Sequence, residues 1–214
     1  MKKGNGKWVW MAGGLLAAFA VWTVLISFID VQAIGPRGSE VGFATFNRWF
    51  HRVTGVHMWL YTLTDWLGLA PIGVAFCFAV LGLLQWIERK QILKVDRSIL
   101  LLGGFYIAVI AVYMLFETVV VNYRPVLIEG YLEASYPSST TVLVMCVIPT
   151  AMMQLHTRIK KQRLRRSILF LMGAFIGFMV IGRLVSGVHW VSDIIGGLLV
   201  SAGLVAAYYA LLHD

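Results

Sequence analysis

Six long apolar runs, separated by short clusters of basic residues, constrain this chain more than any other feature. A helix needs about 20 apolar residues to cross a bilayer. The hydrocarbon offers no water to backbone amides, so each crossing segment must pair its own. The runs are read as six spanning helices: Trp8 to Phe28, Leu69 to Ile87, Ser98 to Val121, Ser139 to Leu155, Ile168 to Ser186 and Trp190 to Leu211. Composition agrees. Charged residues make up 13% of the chain, against about 25% in soluble domains. The expected fold is all-α: a polytopic membrane protein with six transmembrane helices, forming a single domain over residues 1–214.

The net charge of +8 does not imply nucleic acid, because the basic residues sit between apolar runs. With the N-terminus inside, the inner segments hold Lys2, Lys3, Lys7, Arg89, Lys90, Lys94, Arg97, Arg158, Lys160, Lys161, Arg163, Arg165 and Arg166. The outer segments hold only Arg37, Arg48, Arg52, Arg124 and Arg183. This is the positive-inside bias, and it places both termini on the cytoplasmic side of a cell membrane. The basic run from Arg158 to Arg166 then lies beside anionic inner-leaflet lipid. Lys2, Lys3 and Lys7 before an apolar run also resemble a signal peptide, with Val31 and Ala33 as a small-residue site. The run exceeds the roughly 7–15 residues of a signal core, so a retained anchor is expected. Cys77 and Cys146 lie inside apolar runs, where packing is their expected role.

Two outer segments are substantial. The first, Asp30 to Gly68, carries a turn at Gly35-Pro36-Arg37-Gly38 and then an aromatic-rich stretch from Phe43 to Leu67. Its apolar residues Phe46, Trp49, Phe50, Val53, Val56, Leu60, Leu63 and Leu67 recur at helical spacing, so an amphipathic helix at the interface is expected between the first and second spans. His51 and His57 fall there and are expected to pack, and Asp65 to cap or position the second span. The second segment runs from Asn122 to Ser138.

The outer level gathers residues able to handle an anion. Arg124 follows the third span, and Arg183 stands near the outer end of the fifth. Guanidinium forks match phosphate oxygens. Ser138, Ser139 and Thr140 open the fourth span, whose first N–H groups and dipole favour an anion. His189 and Asp193 are spaced i, i+4, so a short helix would put them on one face. A carboxylate holding one imidazole nitrogen leaves the other free to attack phosphorus. The constellation describes phosphoryl transfer without a metal or cofactor. Each element has a plainer reading: arginine as a snorkelling anchor, His–Asp as a structural pair, Ser and Thr as ordinary helix caps. Their meeting at one depth favours function.

These residues resemble the signatures of the type 2 phosphatidic acid phosphatase (PAP2) family. Gly182-Arg183, His189 and Asp193 resemble the third signature, Arg124-Pro125 the end of the first, and Pro137-Ser138-Ser139-Thr140 the second, Pro-Ser-Gly-His. The resemblance implies a lipid phosphatase with its pocket on the outer side. His189 would form a phosphohistidine, Asp193 would orient it, Arg124 and Arg183 would clasp the phosphate, and Ser138 would bind it. Two positions depart from the pattern. Glu117 stands where the first signature begins with Lys, and Thr140 where the second ends in the acid His.

The pocket is thus short of one cation and its usual proton donor. Glu117 is one candidate acid, on the expectation that it lies on the same helix face as Arg124 and that burial raises its pKa. The other remedy lies in the substrate. A diphosphate expels a phosphate, a weaker base than an alkoxide, so a polyprenyl diphosphate would lose least without a donor. The expected partners are a lipid phosphate or diphosphate and the bilayer. The alternative is a relative that binds or carries a lipid phosphate without turnover. A transporter would need charges or broken helices at mid-membrane, and the spans show almost none.

Overall fold

In the computed structural model, residues 5–214 are described. Lys2 and Lys3, counted above toward the inner side, lie outside the described residues. Helix α1 covers Asn5–Phe28 and leads to a two-stranded antiparallel ribbon, β1 (Gln32–Ala33) and β2 (Glu40–Val41), closed by a 3₁₀ turn at Pro36–Gly38. Helices α2 (Ala44–Thr54), α3 (Met58–Leu67) and α4 (Leu69–Arg89) follow. Then come α5 (Arg97–Thr118), α6 (Ser139–Arg158), α7 (Gln162–Val185) and α8 (Val191–Leu212).

Six of these stretches are long and apolar enough to cross a membrane: Gly6–Phe28, Met58–Arg89, Arg97–Thr118, Ser139–Arg158, Gln162–Val185 and Val191–Leu212. The six-span expectation holds, with one change. The second span begins at Met58 because α3 runs into α4 with Gly68 alone at the joint. The stretch from Phe43 to Leu67 is therefore two helices. The chain breaks at Gly55 (φ +71°), whose carbonyl lies against Gly187, while the amide of His57 donates to the carbonyl of Ser186 at 2.9 Å. The α2–α3 stretch is bent where it seats the loop before His189. Helix α2 lies outside the six candidate spans, and α3 packs on α7.

The spans form two layers. Helices α6 and α8 are about half buried, whereas the other four spans are mostly exposed and present their apolar side chains outward. Helix α1 lies along α8, and α6 touches α4, α5, α7 and α8. Apolar burial gains little over lipid tails, so close packing and hydrogen bonds hold such helices together. The α4–α5–α6–α8 core contains Phe78, Leu102, Phe105, Val142, Cys146, Val200 and Tyr208. Between α6 and α8, a Cβ at Gly196 would lie 2.3 Å from the ring of buried Tyr136, so this approach requires glycine. Asn47 of α2 clamps the start of α8, accepting from the Ser192 amide at 3.2 Å and donating to its hydroxyl at 2.9 Å.

Candidate active site

Three local structures bring the polar residues together. Helix α7 ends at Val185 and carries Arg183 in its last turn. The chain turns through Gly187 (φ +69°), presents His189, and enters α8 with Asp193 in its first turn. The segment before α6 folds back on itself through antiparallel bridges, Tyr123 to Ala134 and Ile128 to Tyr131. Backbone bonds from Ser135 to Asn122 (2.9 Å) and from Arg124 to Glu133 (3.0 Å) align Arg124 with Ser135. Trp190 fastens this hairpin to α8 by donating Nε1–H to the Tyr123 carbonyl at 2.8 Å.

The imidazole of His189 is buried at the centre. Its Nε2 lies 3.3 Å from Arg124 Nη1. A guanidinium has no acceptor, so Nε2 must accept and the ring proton is assigned to Nδ1. Nδ1 lies 3.0 Å from the Ser135 hydroxyl and 3.2 Å from the Ser135 carbonyl. The Ser135 hydroxyl donates to Asp193 Oδ2 at 2.5 Å. That carboxylate also accepts from the Trp190 amide at 2.9 Å and from Asn122 Nδ2 at 3.0 Å. The expectation that Asp193 would hold the imidazole is therefore modified: Ser135 stands between them, because the hairpin places its side chain in the gap.

Burial, then the neighbouring Arg124 and Arg183 charges, hold the His189 pKa well below its usual 6.5. The ring is thus neutral with a lone pair on Nε2, the form a nucleophile needs. Arg183 is almost wholly buried. Its Nη2 donates to Thr140 Oγ1 at 2.5 Å and to Asp65 Oδ1 at 3.1 Å. Arg124 forms an ion pair through Nε with Glu133 at 3.0 Å, without hydrogen-bond alignment. The ring of Tyr61 faces both guanidinium groups, 4.9 Å from Arg183 and 5.8 Å from Arg124. Two cations so close cost energy unless an anion or a π face compensates.

A cavity of about 910 Å³ opens from this cradle. Arg124, His189, Ser135, Ser139, Thr140 and Asp65 line its polar end. It continues between α4, α5 and α6 along Leu69, Ile72, Val109, Ile110, Leu143 and Val147. Leu69, Ile72 and Ile110 are also more than half exposed on the outside of the bundle. Among the described residues no group of three or more His, Cys, Asp or Glu side chains is placed to hold a metal ion.

The structure thus brings together Arg124, Arg183, Thr140, His189 and Asp193, with Ser139 on the cavity wall. Ser138 is placed differently. It is fully buried, its hydroxyl accepts from Thr141 at 3.0 Å, its amide donates to the Asp193 carbonyl at 3.2 Å, and it does not line the cavity. Glu117 lines the cavity but is exposed and accepts from the Tyr113 hydroxyl at 3.0 Å. Because α5 ends at Thr118, it does not share a helix face with Arg124, and it is exposed where burial was expected. His51 bonds to the Gly187 carbonyl at 3.1 Å and His57 to the Thr54 carbonyl at 2.8 Å, as packing residues would. Sequence reasoning missed Ser135, Asn122 and Tyr61. Ser135 directly precedes Tyr136-Pro137, so its place beside the second signature was the available signal.

The family model for the PAP2 superfamily matches residues 122–214. The fold is similar to that of a solved structure, the first transmembrane PAP2 type phosphatidylglycerolphosphate phosphatase from Bacillus subtilis. The TM-score is 0.64 over 94% of each chain, at 15% sequence identity. Among curated proteins none matches the chain. Residues 122–214, which supply Arg124, Arg183, His189 and Asp193, therefore match the PAP2 superfamily, on a fold shared with a membrane phosphatase of that type.

Proposed function

We propose that the protein is a membrane lipid phosphatase that removes a terminal phosphate through a phosphohistidine at His189, with its pocket open to the outer face. The observation that carries this reading is the approach of a buried, neutral imidazole to Arg124, with Nε2 3.3 Å from a guanidinium nitrogen. A phosphoryl group clasped by Arg124 and Arg183 would rest against that lone pair. Two guanidinium groups would neutralise charge as the pentacoordinate transition state forms. Asp193 would stabilise the developing imidazolium through Ser135, and the α6 N-terminus at Ser139 and Thr140 would face the phosphate oxygens. The apolar length of the cavity supports a lipid chain.

Thr140 lacks an acid's chemistry, which favours a leaving group that needs no proton. A lipid diphosphate, such as a polyprenyl diphosphate, meets that condition better than a phosphatidic acid monoester. One observation favours the alternative, a lipid-phosphate binder: both arginines already carry carboxylate partners, Asp65 and Glu133. The deciding experiment measures phosphate release from both lipid classes by wild type and His189→Ala in detergent. Release that disappears in His189→Ala while lipid binding persists supports the enzyme. An inert wild type that binds those lipids supports the binder.

A further inference from the structure

We infer that Asp65 supplies the proton transfer that Thr140 cannot, as the base for water attacking the phosphohistidine. The inference rests on the reading of His189 as nucleophile. Asp65 comes from α3, outside the stretch that matches the family. Its Oδ1 and the Thr140 hydroxyl meet at a single nitrogen, Arg183 Nη2, at 3.1 and 2.5 Å. The carboxylate therefore stands beside the position where the resembling family carries its acid imidazole. Arg183 is 2% exposed at its side chain, but that of Asp65 is 57% exposed and lines the same cavity as His189. Its Oδ2 makes no hydrogen bond among the described residues. The other acids near the cradle are placed differently. Glu133 pairs with Arg124, and Glu117 bonds to Tyr113; neither touches Thr140 or Arg183.

The chemistry balances without a further reactant. Nε2 of His189 attacks the terminal phosphorus of a lipid diphosphate, the bond to the bridging oxygen breaks, and the lipid monophosphate leaves with the electron pair. The phosphate on Arg183 displaces Asp65, whose carboxylate then faces the cavity. Water attacks phosphorus, the P–N bond breaks, its electron pair returns to Nε2, and the water proton passes to Asp65 and then to solvent. The first step needs no donor and the second needs a base, which is the pattern a carboxylate beside Arg183 can serve.

The test uses the full-length protein in detergent with farnesyl diphosphate labelled in its terminal phosphate. Rapid-quench kinetics are followed for wild type, Asp65→Asn and Asp65→Glu, with thermal melts as a control on folding. Asp65→Asn should keep the rapid stoichiometric release of farnesyl monophosphate and accumulate base-stable, acid-labile label on the protein. Its steady-state turnover should fall about 10²–10⁴-fold, the usual contribution of a proton-transfer group. Asp65→Glu should recover part of that loss. Turnover equal to or above wild type, with tighter binding, would overturn the inference and make Asp65 only a competing anion. Loss of the burst together with turnover in a folded Asp65→Asn would also overturn it. A wild type that neither turns over nor takes label would instead remove the nucleophile reading beneath it.

Discussion

Two arginine–carboxylate clusters stand at opposite ends of α6, and they differ in burial and surroundings. At the Arg158 end, Asp96 accepts from Gln85 at 2.9 Å, Arg89 at 3.0 Å and Arg158 at 3.4 Å, with all three charged side chains about one-third exposed. None of Asp96, Arg89 and Arg158 lines the cavity that His189 lines. At the other end, Arg183 and Arg124 are 2% and 10% exposed at their side chains, Arg124 contacts a buried imidazole, and Arg124 and His189 line a cavity with apolar walls. The Asp96 cluster ties α4, α5 and α6 together as a surface latch. The Arg183 end keeps two cations and a buried neutral imidazole at close quarters, with Asp65, Glu133 and the Tyr61 ring offsetting the guanidinium charges. Burial next to a cavity, rather than the count of charges, distinguishes the candidate site from the latch.

Substitutions at the two ends sharpen that contrast. Asp193→Asn should lower kcat by roughly 10³–10⁴-fold, because the ring loses the charge that stabilises its protonated form. Ser135→Ala should cost about 10–100-fold in kcat, the scale for a group that orients a reactive ring, and Ser135→Thr should restore part of it. Gly187→Ala forces a side chain into a positive-φ turn and against the Gly55 carbonyl at 2.1 Å. A thermal melt should show a loss of about 1–3 kcal/mol. At the Arg158 end, Asp96→Asn should change stability by less than about 1 kcal/mol and leave turnover alone. An Asp96→Asn effect on kcat as large as that of Ser135→Ala would erase the distinction.

Acid separates the clusters as well. The His189 pKa is depressed in the folded state, so the unfolded chain takes up its proton first. This contribution to stability is present above pH 6.5 and is lost as pH falls below it. Asp96 is held below its usual 3.8, first by the Gln85 hydrogen bond and then by that from Arg89, so its contribution is lost only below that pH. Melts of His189→Ala against wild type from pH 7 to 4 should converge as acid is added; a constant gap would contradict a buried neutral imidazole.

The spans were legible because a continuous apolar run of sufficient length has few other solutions in water or lipid. Arg124, Arg183, His189 and Asp193 were legible because spacing and predicted depth placed them at one level. The break at Gly55 was not, since the apolar pattern from Phe43 to Leu67 continues through it and only the contact with Gly187 bends the chain. Ser135 was hidden because its role depends on a hairpin whose pairing is not periodic. Asp65 read as a residue that caps or positions the second span, and its reach to Arg183 depends on α3 packing against α7. Glu117 was misjudged because the helix ends one residue later.

The most direct test is to quench wild-type protein during turnover of a lipid diphosphate under alkaline conditions and map the phosphoryl group by mass spectrometry. The proposed mechanism predicts modification of His189 alone. Steady turnover with His189 unmodified, or with the phosphoryl group on another residue, would contradict it.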